Sequence, residues 1–137
     1  MGDGDVRSSE SYLGEPGAVA AARHLAARFL SRVGMGGAAA AEQTVQIVQL
    51  VVSELVTNAV RHTDGPCGVD LELTGQTVAI TVWDTSPQLP VVTEHDPTRV
   101  GRHGMEIITA LCGGFQVARR EAGKQITVRL LLADAAV

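Results

Sequence analysis

Residues 45–60 are apolar on nearly every side of a helix (Val45, Ile47, Val48, Leu50, Val51, Val52, Leu55, Val56, Ala59, Val60), yet the run carries a carboxylate and an amide, Glu54 and Asn58, inside VSELVTNAVRHT at positions 52–63. At 3.6 residues per turn, a four-residue spacing rotates by only about 40°, so both side chains reach into one space. A helix this apolar is packed against a sheet or a second helix. Polar groups there are costly unless something polar answers them. Solvent in a cleft, a neighbouring side chain, or a metal ion with its phosphates would do so, and one carboxylate plus one amide oxygen suits the last. The plainer reading puts both residues on a solvated helix edge.

The elements around this helix limit the fold. VRSSESYL reads as a short edge strand before Gly14, and EPGAVAAARHLAARFLSRVG as an amphipathic helix that starts near Pro16 and stops at Gly34, with Val19, Ala22, Leu25, Ala26, Phe29 and Val33 at helical spacing. MGGAAA is a loop, the second helix runs from about Ala41 to His62, and Thr63-Asp64-Gly65-Pro66 is a turn. GVDLEL (68–73) and TVAITVWD (77–84) alternate as a β-hairpin, with Val78, Ile80 and Val82 in the buried phase. MEIITALCG reads as a short helix over about 103–112, and FQVARRE with KQITVRLLL as a second hairpin turning at Glu121-Ala122-Gly123. Helices and hairpins in this order, without strand-helix alternation, predict an α+β two-layer sandwich: a mixed, mostly antiparallel sheet covered on one face by about three helices. The domain division is a flexible N-terminus at 1–10 and one domain at 11–133. TSPQLPVVTEHDPTRVGRHG, with three prolines, is a long loop of the kind that serves as a lid.

Composition removes several classes of function. A net charge of −4 gives no basic footprint for nucleic acid, and one Trp, one Tyr and two Phe leave little for base stacking. Cys67 and Cys112 have neither metal spacing nor the density of a secreted scaffold, and read as small buried hydrophobes. No apolar run opens the chain and none approaches a membrane span, so a cytoplasmic protein is expected.

Three segments become neighbours in such a sandwich: the polar edge of the second helix, the end of the second hairpin strand, and the Gly101–Gly104 turn. Asp84 ends the strand ITVWD, where its carboxylate can accept the amino hydrogens of adenine or cap an ordinary turn. Gly101 and Gly104 bracket a helix start whose unpaired N–H groups favour an anion, although any loop-to-helix junction can carry two glycines. Arg102 and His103 can add charge to a phosphate or remain plain loop residues. His62, another turn beyond Asn58, reads first as a partner of the helix dipole. His24, in AARHLAARF, lacks an acidic neighbour and reads as an ordinary helix residue.

Together and in this order, from about Tyr12 to Leu132, these segments resemble the GHKL or Bergerat-fold ATPases, and within them the anti-sigma-factor and serine-kinase group of actinobacterial type. SELVTNAVRHT resembles the N box, which implies Glu54 as the catalytic carboxylate and Asn58 as the magnesium ligand, with His62 auxiliary. VWDTSPQLP resembles the G1 box, implying Asp84 as the adenine-binding carboxylate with Ser86 beside it. GRHGMEII resembles the G2 box and phosphate loop, implying nucleotide contacts at Gly101, Arg102, His103, Gly104 and Met105. The closing GKQITVRLLL resembles the last strand of the family, with Thr127 near the adenine. ATP and Mg2+ are the implied cofactors. The implied partners are a STAS-type antagonist, phosphorylated on serine or threonine, and an alternative sigma factor held by partner switching; a homodimer formed through the first strand and helix is implied as well.

The chain also departs from the family pattern. Where Asp-x-Gly-x-Gly is usual, Ser86 and a residue near Leu89 replace glycine, and a Ser-Pro pair stiffens the loop. The loss of glycine removes positive-φ freedom close to the nucleotide. Two other functions therefore stand beside the kinase: a regulatory module of the same fold that works by sequestration alone, and a detached ATPase domain of a phosphorelay.

Overall fold

The computed structural model describes residues 6–13, 17–33, 39–62, 65–85 and 115–131. Within them the order is β1 (Val6–Tyr12), α1 (Ala18–Arg32), α2 (Ala39–His62), β2 (Cys67–Thr74), β3 (Thr77–Asp84), β4 (Gln116–Arg120) and β5 (Gly123–Leu131). The strands form one antiparallel sheet in the order β1-β2-β3-β5-β4, so the molecule is an α+β two-layer structure with both helices packed on one face. β1 begins at Val6, which puts residues 6–10 in the sheet and not in the leading segment set apart at 1–10. The expected helix over about 103–112 and the long loop before it lie outside the described residues.

The helices form where the sequence gives them an apolar stripe. α1 buries Ala18, Ala22, Leu25, Ala26, Phe29 and Leu30, spaced three and four apart, and ends with Arg32 in its last turn, where a cation favours the dipole. The Val33 amide then closes back on the Phe29 carbonyl at 3.2 Å. α2 is 24 residues long, about 36 Å at 1.5 Å per residue. It packs beside α1 on the same face of the sheet, against β2 and β3 where α1 lies against β1 and β2, with Val48, Val51, Val52, Leu55, Val56 and Ala59 buried. Being covered from two sides explains why it is apolar almost all round.

The sheet obeys the two-residue period. Val69 and Leu71 of β2, Val78, Ile80 and Val82 of β3, and Ile126, Val128 and Leu130 of β5 are buried and aligned by register beneath the helices. β2 and β3 join through a two-residue turn whose first member, Gly75, has φ +63, the geometry that suits the twist of a hairpin. The opposite face is mostly polar: Arg7 pairs with Glu72, Ser9 donates to Asp70, and Thr81 bonds Thr127 at 3.0 Å. On that face the Arg120 guanidinium lies 5.0 Å from the centre of the Trp83 ring, tying the exposed edge strand β4 to β3. Among the described residues no helix is long and apolar enough to cross a membrane, which leaves β-barrels aside.

Candidate functional site

The site begins on the second half of α2. Glu54 is half-buried, and Asn58, one turn on, is buried at 7% exposure. The Asn58 amide nitrogen, Nδ2, has no hydrogen-bond partner among the described residues. Other polar side chains of the helix are provided for: Ser53 Oγ donates to the Gln49 carbonyl at 2.8 Å, and Gln49 Nε2 to the Arg23 carbonyl at 3.0 Å. An unmet amide in an apolar layer costs about 1–3 kcal/mol, so Asn58 is the place on this helix where a further polar group is wanted. His62 closes α2, and its side chain lies outside the described residues.

The second component sits at the end of β3. Asp84 has the strand parity of Ile80 and Val82 and therefore faces the helix layer, where it is buried. Its register partner on β5 is Lys124, and the ammonium donates to both carboxylate oxygens, at 3.1 Å and 2.8 Å, with the two side chains only 2% and 3% exposed. Gly123 makes this approach feasible. It adopts φ +117, and a Cβ there would stand 2.0 Å from the Asp84 carbonyl oxygen, so β5 starts in direct backbone contact with the end of β3. Across the same end of the sheet run Tyr12, Cys67, Asp84 and Lys124, register neighbours and all buried.

The two components belong to one end of the molecule. Only four residues separate His62 from Cys67, the register partner of Asp84, so the end of α2 lies within about 18 Å of that strand end. Thr85 Oγ1 donates to the Pro66 carbonyl at 3.5 Å, joining the exit of β3 to the same connection. Among the described residues no group of three His, Cys, Asp or Glu gathers to hold a metal by itself. The amide oxygen of Asn58, one turn from the Glu54 carboxylate, instead suits a magnesium ion that takes one or two protein oxygens and completes its shell with phosphates and water.

Thr127 does not join this group. It is three residues from Lys124, hence of opposite parity, and hydrogen-bonds Thr81 on the far face of the sheet. The β5 residue brought to Asp84 is Lys124, which the sequence reading passed over. Its signal was present: a lysine in phase with Ile126, Val128 and Leu130 is a charged residue in the buried phase of a strand, which requires a buried partner. Ser86, Gly101, Arg102, His103, Gly104 and Met105 lie outside the described residues.

A family model described as the histidine kinase-like ATPase domain matches residues 13–130. No curated protein matches the chain.

Proposed function

Because the chain belongs to the histidine kinase-like ATPase domain family, we propose that it is an ATP-dependent protein kinase that transfers phosphate to a serine or threonine of a STAS-type antagonist, and that holds an alternative sigma factor when the antagonist is not bound. The observation that carries the nucleotide half of this proposal is buried Asn58 one turn from the carboxylate of Glu54: its Nδ2, without a partner among the described residues, can donate to a phosphate oxygen and leave Oδ1 for the metal.

The chemistry assigned to the side chains follows from their settings. Phosphoryl transfer is mainly positioning and charge stabilisation. Glu54, half-buried on the polar edge of α2, accepts the proton of the attacking hydroxyl as its oxygen bonds to the γ-phosphorus and ADP leaves with the electrons of the broken bond. Asn58, through its amide oxygen, is the residue that would hold magnesium, which when bound neutralises charge on the phosphates. Asp84 marks the base end of the pocket, buried at the far end of β3.

The partner half has separate support. β1 is one edge of the sheet. Between it and α1 lies an open groove of about 640 Å³ lined by Arg7, Ser8, Ser9, Arg28, Ser31 and Arg32. Arg7 is paired with Glu72 and Arg28 with Glu10, so the groove presents charges of both signs, the kind of surface a polar protein partner pairs with. A homodimer through β1 and α1 belongs to the same proposal. The engagement of Asp84 by Lys124 favours a second reading, a module that sequesters its partner with little use of nucleotide.

The test is phosphate transfer from γ-labelled ATP to a serine-bearing STAS protein, for the wild type and for Glu54→Gln. Transfer in the wild type that is lost in the variant, with ATP still bound by both, is expected. Equal transfer by both proteins would remove Glu54 as the base. ATP binding without transfer would favour sequestration.

A further inference from the structure

We propose that Lys124 is an internal competitor for Asp84: its ammonium occupies the carboxylate that the amino group of adenine would use, so that Lys124 sets how much the base contributes to nucleotide affinity. This rests on the reading of the site as an ATP pocket. The two residues are register partners at the end of the β3–β5 ladder, and the ammonium reaches both carboxylate oxygens at 2.8 Å and 3.1 Å. Their side chains are 2% and 3% exposed, so water does not screen the pair. Gly123 lets the start of β5 come close to the backbone of Asp84 and Thr85, which brings Lys124 to the carboxylate.

An ionised carboxylate only accepts hydrogen bonds, and an amino group on a purine must find one of its oxygens. Here both oxygens already receive charged N–H donors. Exchanging a charged donor for a neutral one in a buried setting loses energy, since charge-assisted hydrogen bonds are about twice as strong. A base entering beside Asp84 therefore gains little from its amino group while Lys124 stays in place. The phosphate end then carries most of the affinity, and discrimination by the amino group is shallow. With a neutral, apolar side chain of similar length at position 124, Asp84 would be left buried without its cation, and the amino group would become its best available donor.

The experiment is calorimetric titration of wild type and Lys124→Met with two ligands in the presence of magnesium: ATP, and purine riboside triphosphate, which lacks the amino group. In the wild type the two ligands are expected to bind within about twofold of each other. In Lys124→Met, ATP is expected to gain roughly tenfold or more over the amino-free nucleotide, in line with a restored hydrogen bond to a charged acceptor. A lysine that serves only as a structural staple would lower the melting temperature of the variant and leave this ratio unchanged, which would overturn the proposal. A wild type that already prefers ATP by tenfold would overturn it without any variant, so the test stands even if Lys124→Met fails to fold. Nucleotide binding that appears only in Lys124→Met would support it. Silence from both folded proteins would overturn the ATP pocket itself, an outcome distinct from equal ratios in two proteins that bind.

Discussion

Asn58 sets a test at the scale of one residue, because stability and function pull it in opposite directions. Its Nδ2 is buried and unmet among the described residues, so Asn58→Leu is expected to stabilise the fold by about 1 kcal/mol while removing the magnesium-dependent part of ATP binding; a thermal melt and a titration with and without magnesium check both. A variant that is less stable and still binds would show that the amide is structural. Glu54→Gln is expected to lower phosphate transfer by roughly 10²- to 10⁴-fold, with ATP affinity changed by less than about threefold, read from single-turnover kinetics and calorimetry. Tyr12 gives the pH dependence. Burial, and then the hydrogen bond its hydroxyl donates to Glu10 at 2.8 Å, push its ionisation well above the usual phenol range. The unfolded chain ionises this phenol near pH 10 and the folded chain does not, so the contribution of Tyr12 to stability is complete below about pH 10 and is lost as pH rises beyond it. Denaturant melts from pH 8 to 11 should show that decline in the wild type, and a shallower one in Tyr12→Phe.

At the scale of elements, the β3–β5 ladder governs the setting of Asp84. Gly123→Ala is expected to cost about 3 kcal/mol or more, since it places a side chain at φ +117 and drives a Cβ into the Asp84 carbonyl; denaturation midpoints measure it. Asp84→Ala leaves the Lys124 ammonium buried without its carboxylate, a loss of about 3–5 kcal/mol. The double change Asp84→Leu with Lys124→Met should recover most of that stability, because a packed apolar pair often matches a buried ion pair. Recovery by less than about 1 kcal/mol would mean that the pair contributes more than mutual compensation. The elements themselves were legible in the sequence, since period 3.6 and period 2 are local properties: α2 starts two residues before its expected Ala41 and ends at His62 as read, and each hairpin falls within a residue or so of its expected place. Parity was legible as well. Ile126, Val128 and Leu130 place position 124 inside and 127 outside, yet a resemblance to a closing strand drew attention to Thr127.

At the scale of the whole molecule, what local patterns do not carry is which strands become neighbours. β5 lies between β3 and β4, so Lys124 meets Asp84 from 40 residues away, a contact fixed by sheet order and register. The Glu54–Asn58 pair was readable because a carboxylate and an amide one turn apart on an apolar helix are conspicuous within a dozen residues; the Asp84–Lys124 pair needed the assembled sheet. The family match over residues 13–130 shows that the chain is a histidine kinase-like ATPase domain; the phosphate end on α2 and the base end on β3 belong to the proposed function. The most direct measurement is calorimetric titration of the wild type with ATP in magnesium and again in EDTA, with Asn58→Leu alongside. Binding in magnesium that is weakened by EDTA, and weakened to the same degree in folded Asn58→Leu, is the expected result. Binding indifferent to both magnesium and Asn58 would contradict the placement of the phosphate site on α2.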